Sequence, residues 1–139
     1  MASVRRRPKD LVLILAREFA SKLAFPVLIT DADGSLVYFN EPAERLLGRT
    51  FAETGEMRAT EWETLFATEE LDGSPLPLSG LPAGIALLER RPAHHSFAIR
   101  GLDGVRREIS VTALPLLASA TRLVGVVAVF WQTDGGTAA

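Results

Sequence analysis

Apolar residues recur at spacings of three and four near the start of the chain and alternate singly near its end. Between residues 9 and 24, Val12, Leu15, Ala16, Phe19, Ala20 and Leu23 share one broad stripe, which predicts an amphipathic helix. Leu11, Leu13 and Ile14 put apolar groups off that stripe, which calls for cover on more than one side, from its own sheet and from a second copy of the chain. Pro26 ends the helix. Residues 27–30 and 35–39 read as short strands, joined by Asp31-Ala32-Asp33-Gly34, residue types that suit a tight turn. Asn40 is an N-cap for a helix over residues 41–47, with Glu41 in the first turn and Gly48 as the stop. Pro42 has no N–H, so the Asn40 side chain is expected to cap the N–H of Ala43. Thr60-Glu61-Trp62-Glu63 has capping-box spacing and is read as opening a helix through Ala67. "DGSPLPLSGLP" reads as loop, followed by a helix over residues 85–90 that Pro92 ends.

The last third has strand periodicity. His95, Phe97 and Ile99 share one face, and His94, Ser96 and Ala98 the other. Residues 101–104 ("GLDG") form a turn, after which Ile109, Val111 and Ala113 alternate with Glu108, Ser110 and Thr112. Residues 123–131, "LVGVVAVFW", are apolar throughout, which places this strand centrally with both faces covered. Val124, Val126, Ala128 and Phe130 form one face, and Leu123, Val127, Val129 and Trp131 the other. The short middle helices can cover one; the only apolar element left for the other is the N-terminal helix. The order predicts an α+β fold with about five strands.

The totals narrow the classes. A chain of 139 residues, 47% hydrophobic, fits one domain with a real core. A net charge of −2 is not that of a protein built to coat nucleic acid or an anionic membrane. No cysteine is present, which removes disulfide, zinc–thiolate and cysteinyl chemistry and suits a reducing cytoplasm. Arg5, Arg6, Arg7 and Lys9 precede only six apolar residues, too few for a signal core or a membrane span. Residues 1–8 are expected to be a disordered basic arm and residues 135–139 a flexible tail. Residues 41–72 carry nine acids against three bases, and residues 90–122 six bases against two acids; a solvated surface is the plain account of both.

Asp-x-Asp-Gly can open a calcium loop, but a loop starting at Asp31 needs Gly sixth and Glu twelfth, where Leu36 and Pro42 stand. His94 and His95 are the two histidines; adjacent on a strand, they point to opposite faces and do not chelate one metal. There is no phosphate-binding glycine loop, no Gly-x-Ser-x-Gly and no carboxylate pair singled out by spacing, so no enzyme is expected.

Three stretches together resemble the PAS domain family. "FPVLITDADGSLVYFNEPAERLLG" is similar to its opening hairpin, Asn-initiated helix and closing glycine. "ELDGSPLPLSGLPAGIALLERRPAHHSFAIRGLDGVRREISVTALPL" is similar to its late helix and following hairpin, and "RLVGVVAVFWQTD" to its last strand. The resemblance covers residues 25–134 and implies a five-stranded antiparallel sheet of order 2-1-5-4-3. Short helices would cup one face around a small pocket, and a flanking helix over residues 9–24 would mediate dimerisation. Many members run on from the last strand into a signalling helix; here "WQTDGGTAA" stands instead, so relay to an attached output is not expected unless this is a piece of a longer protein.

On that basis Ile29, Tyr38, Leu47, Trp62, Ile85, Leu88, Phe97, Ile99, Val111, Val126 and Ala128 are pocket candidates, with Tyr38 and His95 as polar anchors. Plain core packing is the competing account of the same residues. Candidates for a dimer interface are Val12, Leu15, Ala16, Phe19 and Leu23 on the helix and Val127, Val129 and Trp131 on the sheet. Family members that bind flavin covalently need a cysteine, which this chain lacks. Haem is not expected, since "GIALLERR" offers no axial histidine; noncovalent flavin or another small molecule stays open. The expectation is a non-enzymatic cytoplasmic sensor that binds a small apolar or amphipathic ligand and signals through a homodimer or a protein partner. The alternative is a ligand-free interaction module.

Overall fold

A computed structural model describes residues 11–134; the expected arm and tail lie outside the described residues, as do the first two residues of the expected N-terminal helix. The elements are α1 (Leu11–Ala20), β1 (Val27–Asp31), β2 (Leu36–Phe39), α2 (Glu41–Leu47), α3 (Phe51–Thr54), α4 (Ala59–Phe66), a 3-10 turn (Leu78–Gly80), α5 (Pro82–Glu89), β3 (Ala93–Arg100), β4 (Arg106–Ser119) and β5 (Arg122–Gln132). The strands form one antiparallel sheet in the order β2-β1-β5-β4-β3. The central position of β5 follows from its double-sided apolar sequence.

Two cores flank the sheet. On one side Leu36, Phe39, Leu47, Trp62, Phe66, Phe97, Ile99, Val126 and Phe130 pack with the helices. On the other, Leu13, Ala16, Ala20 and Leu23 pack over Val27, Ile29, Val127 and Val129. The helix at the back of the sheet is therefore α1, as the apolar pattern of β5 requires. It stops at Ala20 rather than at residue 24, and residues 21–25 form a turn held by Ser21 N–H to Arg17 O and Leu23 N–H to Ala20 O.

Asn40 joins these layers. Its Oδ1 accepts from Ala43 N–H at 3.1 Å, the expected cap, and from Val27 N–H at 3.0 Å. Its Nδ2 donates to Ala20 O at 3.0 Å and Phe25 O at 2.8 Å. The α2 helix ends at Gly48, whose φ of 84° is the left-handed region that glycine tolerates. The Asp31–Gly34 turn is closed by Asp31 Oδ1, which accepts from Asp33 N–H and Ser35 N–H at 2.9 and 3.0 Å.

The N-cap of α4 is Arg58, two residues before the expected cap at Thr60, and Glu61 Oε1 accepts from Arg58 N–H at 2.8 Å. The helix α3, absent from the expected elements, is opened by a reciprocal capping box between Thr50 and Glu53 that is itself a sequence signal.

The turn between β3 and β4 clamps the end of α2. Leu102 N–H donates to Leu47 O at 2.7 Å, and Arg107 Nη1 donates to Leu46 O at 3.1 Å. Arg107 also pairs with both oxygens of Asp103, at 3.2 and 2.9 Å. That pairing, helped by the Val105 N–H, holds the Asp103 carboxyl down to about 2. A carboxylate depressed in the folded state stabilises it above the unfolded pKa, and that contribution is lost as pH falls through the folded value. Acid unfolding of the wild type should thus steepen from about pH 4 to about pH 2 relative to Asp103→Asn, measured by far-UV circular dichroism. Superimposable acid limbs would contradict the assignment.

Candidate functional site

The helical side of the sheet forms a cup. At its centre is an apolar cavity of about 50 Å³. Leu47, Trp62, Phe97, Ile99, Val111 and Ala128 line it, all six read from the sequence as pocket candidates. Leu28, Phe66, Leu81, Pro82, Ala83, Ile109 and Phe130 complete the apolar wall, with Thr68 among them. The Thr68 hydroxyl is already spent on Leu76 O at 2.8 Å, and the Trp62 indole N–H on Gly34 O at 2.9 Å. Both donors are thus taken, and the Thr68 oxygen remains only as an acceptor.

The other pocket candidates lie elsewhere. Ile29 and Tyr38 do not enter the cup. They pair across β1 and β2 on the back face, where both pack with α1. The Arg17 guanidinium lies 4.7 Å from the Tyr38 ring centre, and Phe51 meets the ring edge-on at 5.6 Å. Both residues of each β1 pair are large enough to fill a core, so alternation fixed two faces without saying which was the cup. The cup face takes Leu28 and Phe39 instead, and a bulge at Val37 brings Leu36 opposite Thr30.

Ile85 and Leu88 are also outside the cavity, Leu88 being 63% exposed. The helix α5 begins at Pro82, three residues before the expected start, so its inward face is Pro82, Ala83, Ala86 and Leu87. Proline at the first helical position was the available signal. Val126 is fully buried in the same core but does not touch the cavity. His95 stands at the rim, its ring stacked on Phe97 and its Nε2 2.8 Å from Glu70 Oε1.

The proposed interface residues divide in two. Ala16, Leu23, Val127 and Val129 are taken up by packing within the chain, and Val12 is half-buried. Leu15, Phe19 and Trp131 are exposed, beside Leu11 and Leu114. The acidic stretch is largely spent internally. Glu44, Glu53, Glu61 and Glu63 accept backbone N–H groups, while Glu69 and Glu70 pair with Arg106 and His95 from the basic stretch.

No protein-family model and no curated protein matches the sequence. Solved structures do match the fold. The PAS domain of a Colwellia psychrerythraea protein aligns at a TM-score of 0.64 with 14% identity, over 90% of this chain and 99% of that one. The Rhodobacter sphaeroides LOV protein aligns at 0.69 with 11% identity, over 90% and 68%. The PAS domain of Bordetella pertussis BvgS aligns at 0.58 with 16% identity, over 87% and 84%. The chain has the PAS fold. Its sheet order and cupping helices are those implied by the sequence resemblance, and the cavity lies within the PAS cup. Among the described residues, no helix is long and apolar enough to cross a membrane.

Proposed function

We propose that this PAS-fold chain is a non-enzymatic cytoplasmic sensing module: a small apolar ligand enters the cup, and the response passes through the sheet to α1 and a second copy or a protein partner. One arrangement carries this reading. One sheet serves both sides: β1, β3, β4 and β5 wall the apolar cavity on one face, β1, β2 and β5 seat α1 on the other, and α1 leaves Leu11, Leu15 and Phe19 uncovered. Exposed apolar side chains grouped on one element favour burial against a partner.

The cavity limits the ligand. About 50 Å³ is room for a water or two, against roughly 300 Å³ or more for sites that take drug-sized molecules. A ligand must be very small or must displace Trp62 or Phe66. This favours, as the second reading, a ligand-free dimerisation or interaction module whose own side chains fill the cup.

Two measurements separate the readings. Native mass spectrometry of the purified chain should show an added mass that leaves on denaturation; the bare chain mass, with no apolar molecule retained, supports the ligand-free module. Sedimentation should show a dimer at micromolar concentration that Leu15→Glu or Phe19→Glu dissociates without loss of helical signal. A wild type that stays monomeric would remove transmission by self-association from both.

A further inference from the structure

We propose that residues 68–76 form a strap that gates the cup, held shut on the edge of the sheet by the Arg106–Glu69 ion pair and the His95–Glu70 hydrogen bond. The segment leaves α4 at Phe66 and Thr68, both at the cavity, and returns at Leu76, buried in the cup core. Between them it folds back as a small hairpin: Glu69 pairs with Pro75, Glu70 N–H donates to Ser74 O at 2.8 Å, and Asp72 Oδ1 accepts from Ser74 N–H at 2.9 Å. Residues 71–75 are exposed.

The strap lies along β3, the outer strand, and meets its backbone at one bridge. Glu69 N–H donates to Ala98 O at 3.0 Å and Ala98 N–H to Glu69 O at 2.8 Å. Side chains do the remaining fastening. Arg106 is the main rivet. Its Nε donates to Glu69 at 2.8 Å and its Nη2 to Leu71 O at 3.3 Å, while its Nη1 is braced by Glu108 at 3.1 Å. His95 Nε2 meets Glu70 at 2.8 Å. The other walls are strands in continuous ladders and helices with buried faces. The strap, which meets the cavity at Thr68, rests on two backbone hydrogen bonds, the partly exposed Arg106–Glu69 ion pair, the Glu70–His95 hydrogen bond and one apolar anchor, Leu76. Such a segment opens locally at far lower cost than the sheet.

The gating role rests on the cup being the input site, but the opening itself needs no ligand to be measured. The chain has two tryptophans, and Trp62 lines the cavity, so Trp131→Phe leaves Trp62 as the sole reporter. In that background, Arg106→Ala and the milder Glu70→Gln should raise acrylamide quenching of Trp62 about threefold. They should also speed amide exchange at Glu69 and Ala98 about tenfold, with Val126 and Ala128 unchanged. Because the chain lacks cysteine, Glu69→Cys with Ala98→Cys adds a closable lock at a bridge whose partners sit at roughly 5.5 Å, within disulfide range. Oxidation should lower Trp62 quenching and reduction restore it. The proposal is overturned if the Glu69 and Ala98 amides exchange only in step with Val126 and Ala128. It is equally overturned if the strap loosens while Trp62 quenching stays constant, or if the oxidised and reduced lock quench alike. A bare chain in native mass spectrometry would count against the ligand, not against the opening.

Discussion

Asn40→Ala should be among the most damaging single substitutions in the chain, lowering stability by about 3–5 kcal/mol. Asn40 is 1% exposed and makes four hydrogen bonds, two as acceptor and two as donor. Loss of the cap on Ala43 alone accounts for about 1 kcal/mol. The Val27 N–H and the carbonyls of Ala20 and Phe25 then lose their partner where water has little access, at roughly 1 kcal/mol or more each. Urea unfolding followed by circular dichroism should give a lower midpoint with an unchanged slope. Asn40→Ser, which can still cap Ala43, should recover about 1 kcal/mol. A loss confined to about 1 kcal/mol in Asn40→Ala would mean that the three contacts beyond the cap contribute little.

Gly125→Ala should cost about 3 kcal/mol for a different reason. A Cβ there would sit 2.1 Å from Thr30 O and 2.9 Å from Leu13 Cδ2. The first clash is with backbone, so β1 must move away from β5 where Asp31 and Thr30 face Gly125 and Val126. The second is with the end of the Leu13 side chain, which must turn aside and so loosens the packing of α1 over the glycine. Guanidinium unfolding should show the stability loss, and limited proteolysis should cut near α1 sooner than in the wild type. Wild-type resistance at α1 would show that the helix seat does not depend on this close approach.

These two positions also mark how far sequence reasoning reaches. Asn40 announces itself as a cap because its bond to Ala43 spans three residues, within the range of a local pattern. Its bonds to Val27, Phe25 and Ala20 span 13, 15 and 20 residues and need the fold to exist first. Placement of α1 at the back was legible because β5 is apolar on both faces and no other element was left to cover the second. The location of Tyr38 was not. Alternation gives the parity of a strand but not its absolute orientation, and with Val27, Leu28 and Ile29 all apolar either assignment fills a core. In the cup, Leu47, Trp62, Phe97, Ile99, Val111 and Ala128 were found because each sits on an element of correct phase. Ile85 and Leu88 were lost to an error of three residues in the start of α5, nearly one helical turn.

The aromatic residues give the molecule an optical readout of its own. It carries two tryptophans and one tyrosine. Trp62 is enclosed in the cup, Trp131 is exposed on the opposite face beside His94, and Tyr38 lies under α1 against Arg17. Three chromophores therefore occupy three separate environments. A ligand in the cup would alter the emission of Trp62, association at the back face would alter that of Trp131, and lifting of α1 would alter the absorbance of Tyr38. Events on the two faces of the sheet are thus separable by intrinsic spectroscopy, without a label.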